Sequence, residues 1–500
     1  MGNIAWLPIA PEVILLVGAL AVLMAAVALG VPRPVWGGLA MVSLLGAGVF
    51  SWLAWVRVDD VGPALHYGSA AGGFMVVMDH FSAFAGMLLA AVALLALLAA
   101  WDLVAGLDQR AAEFLALVLL ATAGLHLMTA SSNLVLLFIG LETASISLYV
   151  VAGFTREQPN SDEAAMKYFL LGSFASAVFI YGVALLFAGF GTTTLYGAAG
   201  IVSRWADLGP TIVASPGVVL AGIAMILVGL GFKISAAPFH QWAPDVYQGA
   251  PGAAVPLMSA GVKIAGIAAI ARILVGAFDP QFTDRWAPAV AALAALSVFV
   301  GTALAIAQSD LKRMLAYSGV AHAGFLLTAL VAGEAGVGAM WFYVATYAFA
   351  LVGAFTVAAV ISGPRGGASP FESYVGLARR SPALAGSLAL FMLSMGGIPL
   401  TAGFIGKVGV FAAAIEGGYL WLAIVGLVVA VAGLFFYLRV IVVMYFQAPV
   451  LAEGPGAATA MEVPVSQTSQ MVIGAAAAVT IVFGLVPAPL LNWVRWALPL

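Results

Sequence analysis

The chain has 500 residues, of which 64% are hydrophobic and 8% charged, with a formal net charge of −3 and a mean hydropathy of +1.13. A soluble domain usually carries about 25% charged residues, so a soluble fold is excluded, and so small a net charge gives no electrostatic case for a nucleic-acid partner. The absence of cysteine excludes thiolate-held iron–sulfur clusters, thiolate nucleophiles and thiolate metal sites from this chain. No Gly-x-Gly-x-x-Gly follows a strand pattern and no Walker loop is present, so neither NADH nor ATP is expected to bind here.

A hydrocarbon core of about 30 Å is crossed by about 20 apolar residues in a helix. On that rule the chain is an all-α, polytopic membrane protein of about fourteen spans in one integral domain, 1–500. Within residues 1–111 the spans fall at 6–29, 34–56 and 76–100. Five follow between 112 and 276, at 112–130, 131–153, 165–189, 217–242 and 253–276. Five more lie between 288 and 446, at 288–308, 314–333, 338–362, 384–412 and 418–446, and the last is 469–494. No Lys or Arg precedes Arg33, so the first span lacks the basic start of a secretory signal and is expected to be retained. The longer connections run near 57–73, 191–215, 363–382 and 447–467, the last two rich in Gly, Pro, Ser and charge.

Basic residues in the connections set the orientation. With the N-terminus outside, the cytoplasmic side holds Arg33, Arg110, Arg156, Lys167, Lys312, Arg313, Arg365, Arg379, Arg380 and Arg439. The outer side then holds only Arg57, Arg204, Arg272, Arg285 and Arg495. Both termini are therefore expected on the outer, periplasmic face of a bacterial inner membrane.

Two spans are interrupted. One reads Gly229-Leu-Gly-Phe-Lys-Ile-Ser-Ala-Ala-Pro-Phe-His240, the other Gly396-Gly-Ile-Pro-Leu-Thr-Ala-Gly-Phe-Ile-Gly-Lys407. Proline removes a helical N–H and clashes with the preceding turn. In lipid the freed carbonyls must find new partners, so such breaks survive only against protein or water. A pair of Gly/Pro-broken spans in two halves of a chain points to a transport site. These are the seventh and twelfth spans in order, and a five-helix unit inserts its second copy upside down.

Glu142, Lys233, Lys263 and Lys407 stand inside long apolar runs. Each imposes roughly 2.5–3.5 kcal/mol at a helix centre on insertion scales. Desolvation disfavours the charged amine and the charged carboxylate alike, so these groups are suited to taking up and releasing protons. If Glu142 pairs with Lys233, separating the partners destabilises both charges and drives a proton off the lysine. A structural reading competes, since buried pairs also fix helix register and long side chains snorkel. Snorkelling suits Lys167 and Arg439 near span ends. It suits Lys263 and Lys407 poorly. His126, His240 and His322 also fall in or at the ends of spans, where a satisfied core imidazole and a relay are equally good readings. His66 and His80 have no matching pair on another span, which argues against haem. Asp79 and Glu12 lie near span ends and need no special role.

At three segments the chain resembles the antiporter-like membrane subunits of respiratory complex I, the bacterial NADH:quinone oxidoreductase. They are Ala237-Pro-Phe-His-Gln-Trp-Ala-Pro-Asp-Val-Tyr-Gln-Gly-Ala-Pro251, Asp310-Leu-Lys-Arg-Met-Leu-Ala-Tyr-Ser-Gly-Val-Ala-His-Ala-Gly324 and the run ending at Lys407. Among the sister subunits it is most similar to N. It lacks the long lateral helix of L, and it has lysine at 407 where M typically has glutamate. The resemblance implies two inverted five-helix repeats, 112–276 and 288–446, with broken helices 7 and 12. It implies proton translocation coupled to NADH-to-quinone electron transfer, with Glu142 and Lys233 as a pair, Lys263 and Lys407 as central lysines, and His240 and His322 on a hydrated axis. It places FMN, iron–sulfur clusters and quinone, taken to be ubiquinone, in partner subunits, and makes the M subunit and small membrane subunits the neighbours of this chain in the bilayer. A subunit of a multi-subunit Na⁺/H⁺ antiporter shares the fold and most motifs and stays open as an alternative, as does a structural membrane scaffold.

Overall fold

The computed structural model describes residues 6–61, 64–69, 73–155, 158–204, 216–278, 282–363, 366–448 and 463–499. Arg156 and Arg365, and the connecting segments 205–215 and 449–462, lie outside the described residues. The chain is mostly helical because lipid offers no partner to a backbone amide, and a helix satisfies its own. The helices are α1 Ala10–Val27, α2 Arg33–Val61, α3 His80–Ala99, α4 Arg110–Ala130, α5 Leu134–Ala152 and α6 Pro159–Phe190. There follow α7 Pro216–Lys233, α8 Trp242–Gly249, α9 Val262–Leu274, α10 Thr283–Ile306, α11 Leu311–Leu330 and α12 Glu334–Ser362. The last are α13 Pro382–Gly396, α14 Ala402–Glu416, α15 Leu420–Phe446, α16 Gln467–Leu485 and α17 Ala488–Val494. Among the described residues 11 helices are long and apolar enough to cross a membrane, with shorter apolar ones at Gly217–Lys233 and Pro382–Gly396.

The all-α expectation is corrected at one place. Between α2 and α3 the chain forms an antiparallel hairpin, β1 Leu65–Ser69 with β2 Gly73–Met78, so residues 76–78 are strand rather than the start of a span. The boundary is set by Asp79. Its carboxylate accepts from Ser82 N at 2.8 Å, and Asp79 N donates to Ser82 Oγ at 3.1 Å, a reciprocal cap that starts α3 at the next residue.

Both interrupted spans are broken where Gly and Pro cluster. α7 stops at Lys233 and the helix resumes at Trp242, while α13 stops at Gly396 and resumes at Ala402. Each break holds a non-glycine residue in the left-handed region, Ser235 at φ 57° and Leu400 at φ 71°. A turn of π-helix, Leu257–Gly261, leads into α9.

Helix pairs approach closely through small residues, as packing rather than hydrophobicity must drive association in lipid. A β-carbon added to Gly124 of α4 would lie 2.5 Å from Ala144 N of α5, and one on Gly301 of α10 would lie 2.4 Å from Ala321 N of α11. Neither crossing has room for a larger residue.

Arg272 and Asp79 overturn their sequence readings. Arg272, counted among the basic residues of the outer side, lies in the last turn of α9 and is fully buried. Its Nη1 and Nη2 donate to Asp79 Oδ2 and Oδ1 at 3.0 and 2.8 Å, and its Nε donates to Thr129 O at 3.0 Å. The bidentate pair joins α9 to the start of α3 and the end of α4. Arg272→Met leaves the buried Asp79 carboxylate without its cation, a loss of roughly 3–5 kcal/mol. The expected readout is a lower thermal midpoint of the purified protein in detergent. Asp79→Asn combined with Arg272→Met should regain most of that loss, because no buried charge is then left unpaired.

Candidate functional site

Lys263, on α9, is buried, and its Nζ donates to Ile234 O at 3.0 Å and to Ser235 Oγ at 2.7 Å. Both acceptors belong to the break after α7. Lys407, on α14, is buried likewise and donates to Met395 O at 2.8 Å and Gly396 O at 2.9 Å. These are carbonyls at the end of α13. Each amine thus sits at the C-terminal end of an interrupted helix, where carbonyls lack helical partners and the dipole favours a cation. Gly397 makes the second seat possible: its φ is +84°, and a β-carbon there would come within 2.9 Å of Lys407 Cδ.

Between the two lysines lies a buried polar strip built from α11, α12 and α15. Tyr343 Oη and Tyr437 Oη are 2.7 and 3.0 Å from Nδ1 and Nε2 of His322. Tyr437 Oη is also 2.5 Å from Ser318 Oγ. The His322 ring stacks on Tyr347 with centroids 4.1 Å apart. A β-carbon on Gly319 would lie 3.4 Å from both Lys263 Nζ and Tyr347 Oη, so these two groups converge on one glycine. At the other end, Lys407 Nζ lies 5.1 Å from the centre of the Phe325 ring, which meets His322 in a T-shaped contact. The order is therefore Lys263, Tyr347, His322, Phe325, Lys407. Hydrogen bonds within the strip are confined to His322, Tyr343, Tyr437 and Ser318, since the Tyr347 hydroxyl is buried without a partner among the described residues and Phe325 carries no polar side-chain atom.

Glu142 and Lys233 are not brought into a hydrogen-bonded pair. The half-buried Glu142 carboxylate accepts from Ser176 Oγ. Lys233 Nζ is buried without a hydrogen-bond partner and lies 5.4 and 5.2 Å from the ring centres of Tyr149 and Tyr168. The serine takes the carboxylate's hydrogen bond and the rings line the amine, while the Glu142 charge still acts on Lys233 across the gap. Lys233 still adjoins Lys263's helix, since a β-carbon on Gly266 of α9 would lie 3.8 Å from Lys233 Cβ. His240 lies in the break before α8, its Nδ1 unpartnered and its ring 6.1 Å from that of Tyr317.

Neither candidate snorkeller stands alone. Lys167 is within 2.7 Å of Glu163 and 2.6 Å of Asp245. Asp245, on α8, also binds Arg313 of α11 at 2.6 Å, so one carboxylate ties α8 to both α6 and α11. Arg439 donates to Ile306 O at 3.2 Å and to Gln308 O, and packs over Phe371. Among the described residues no three His, Cys, Asp or Glu side chains cluster as metal ligands would.

Comparison with known proteins gives the arrangement its family. The profile described as "NADH:quinone oxidoreductase/Mrp antiporter, TM" matches residues 131–433, a stretch that carries all four buried ionisable positions. The chain belongs to that family. A Trichlorobacter lovleyi protein, NADH-quinone oxidoreductase subunit N, is 38% identical over 98% of this chain and 96% of its own length. Subunit N 1 of Solibacter usitatus is 40% identical over 82% of this chain and 80% of its own. In the solved respiratory complex I of Thermus thermophilus, one chain superposes with a TM-score of 0.80 at 31% identity, covering 97% of this chain and 99% of that one. Both curated relatives carry the name of the sister subunit that lysine at 407 favoured.

Reading the sequence missed Tyr343, Tyr347, Tyr437, Ser235 and Ser318. Tyr343 and Tyr347 offered one signal: hydroxyl-bearing aromatics four residues apart lie on one helix face, in a span with few other polar groups. Tyr343→Phe and Tyr437→Phe each remove one partner of the buried His322 ring. Each should lower stability by about 1 kcal/mol. The double variant should depart from additivity, because both substitutions act on one imidazole; thermal midpoints of the purified wild type, singles and double test this.

Proposed function

We propose that this chain is the N subunit of a proton-translocating NADH:quinone oxidoreductase and carries protons, not electrons. The observation that supports it most is the pair of buried amines, Lys263 and Lys407, each seated on carbonyls freed by a helix break, with the hydrogen-bonded cluster of His322, Tyr343 and Tyr437 between them. In this reading α4–α9 and α10–α15 are two inverted five-helix repeats in a fourteen-helix domain, 112–276 and 288–446. Residues 1–111 and 469–494 flank them, and the broken helices are the seventh and twelfth. The chain lies in a bacterial inner membrane with both termini periplasmic, beside the M subunit and small membrane subunits. FMN, iron–sulfur clusters and quinone belong to partner subunits.

Protons enter from the cytoplasmic side, load Lys263 through water, pass by way of water and the His322 axis to Lys407, and leave on one side of the membrane. Glu142, Lys233 and His240 act on the first step. A lysine needs a lone pair to accept a proton and an acceptor to hold the resulting ammonium. Ile234 O and Ser235 Oγ provide the second at Lys263, and Met395 O and Gly396 O provide it at Lys407. Moving the Lys233 charge from about 4 to 8 Å from a neighbouring charge at an effective dielectric of about 20 changes their interaction by about 2 kcal/mol. That is a roughly thirtyfold change in proton-binding constant. The position of Lys233 thereby sets how readily Lys263 loads.

The family also includes Mrp-type antiporters, so a Na⁺/H⁺ antiporter subunit is the second reading. Copurification separates the two, since a complex I subunit comes with flavin- and iron–sulfur-containing partners. The principal test is Lys263→Ala in the assembled complex. NADH-driven proton uptake into proteoliposomes should fall below roughly a tenth of wild type while the amount of assembled complex holds. Full pumping by a well-assembled variant would refute the role.

A further inference from the structure

Lys233 presents the least expected environment in the molecule. It is the final residue of α7, its amine is buried, and no hydrogen bond reaches it. A buried ammonium without compensation is strongly disfavoured, so its surroundings must supply another attraction. They supply the charge of Glu142, which acts on the amine without a hydrogen bond, and the faces of Tyr149 and Tyr168, with ring centres 5.4 and 5.2 Å from Nζ. That is inside the ~6 Å range of a cation–π contact, which strengthens when water is excluded.

The two rings are held for this geometry. They meet edge to face, with centroids 4.6 Å apart and an interplanar angle of 81°. Tyr168 stacks at 4.5 Å and 9° on Trp242, the first residue of α8. Trp242 Nε1 in turn donates to Phe232 O at 3.0 Å, a carbonyl adjoining Lys233. Tyr149 is seated by Gly172, where a β-carbon would lie 2.0 Å from the phenol oxygen. A narrow crevice lined by Tyr149, Gly172, Ser176, Phe179 and Lys233 leads from the amine toward the serine that holds Glu142.

We infer that Tyr149 and Tyr168 form an aromatic seat for the Lys233 ammonium when it is not hydrogen-bonded to Glu142. They are positioning residues of the proton-transfer switch. The seat rests on the reading of this chain as a proton carrier and adds its second state. With Ser176, which holds Glu142, and two π-faces lining the same crevice, the amine has two resting places. Without the rings it collapses onto the carboxylate and the switch stays closed. Because Tyr168 is stacked on α8, the seat also senses the half-helix beyond the break.

The test uses the intact complex in proteoliposomes, reading protons taken up per NADH oxidised alongside the amount of assembled complex. Phenylalanine and its mono-, di- and trifluoro derivatives are installed in place of Tyr168, and separately in place of Tyr149. Fluorination drains the ring face with little change of shape, so assembly should hold throughout. Phenylalanine should retain near-wild-type coupling, and coupling should fall in graded steps to a total of roughly three- to tenfold. A flat response across the fluorinated series overturns the seat. Lys233→Gln serves as the reference. If it loses coupling while the series is flat, the seat alone fails, whereas full coupling in Lys233→Gln removes the proton-carrier role of this lysine and the seat with it.

Discussion

In lipid, a polar group that water would otherwise solvate must be satisfied by the protein itself, and this constraint shapes the molecule from its backbone to its lysines. Two kinds of group break the rule when taken singly. A helix interrupted by proline leaves carbonyls without donors, and a lysine within a span leaves an amine without acceptors. The structure sets one against the other. Lys263 donates to Ile234 O and Lys407 to Met395 O and Gly396 O. Removing either the breaks or the lysines would strand the other. The interruptions and the charges are therefore parts of one feature rather than separate defects.

The same constraint explains why the buried polar groups differ so much in character. Arg272 and Asp79 satisfy each other with two short bonds, and a third reaches Thr129 O. Such a pair has nothing to gain by moving and serves as a fixed tie among α3, α4 and α9. The strip around His322 is also bonded on both nitrogens, but by phenols, which can donate or accept. Groups of that kind pass a proton by reorienting. Lys233 stands at the far end of this range, held by ring faces without a hydrogen bond. The kind of partner, not the depth of burial, thus distinguishes these groups.

Close helix packing gives these contacts their precision. Gly124 against Ala144 and Gly301 against Ala321 bring backbones together where a single extra carbon would collide. Gly172 and Gly397 make space for the side chains of Tyr149 and Lys407. In each case the glycine's function is legible only beside its neighbour. Asp245 makes a further cross-link, holding α8 to Lys167 on one side and Arg313 on the other.

The sequence by itself determined the solvent and the charged positions. Its apolar runs required a multi-span helical protein, and Glu142, Lys233, Lys263 and Lys407 stood out because an ionisable residue in such a run is costly. The Gly/Pro clusters located both breaks, and the three long motifs indicated the family. The tertiary structure decided what each group touches. Asp79 and Arg272 are 193 residues apart in the chain and nothing local marks them as partners. Tyr343, Tyr347 and Tyr437 read as ordinary span aromatics until the fold turns them toward His322. Periodicity and hydropathy report which face of a helix is apolar, but the partner across a helix crossing depends on the rotation of two helices at once. That rotation is set by packing contacts between distant residues, and so the placing of Lys233 against Tyr149 and Tyr168, with Glu142 hydrogen-bonded to Ser176, emerged only in three dimensions.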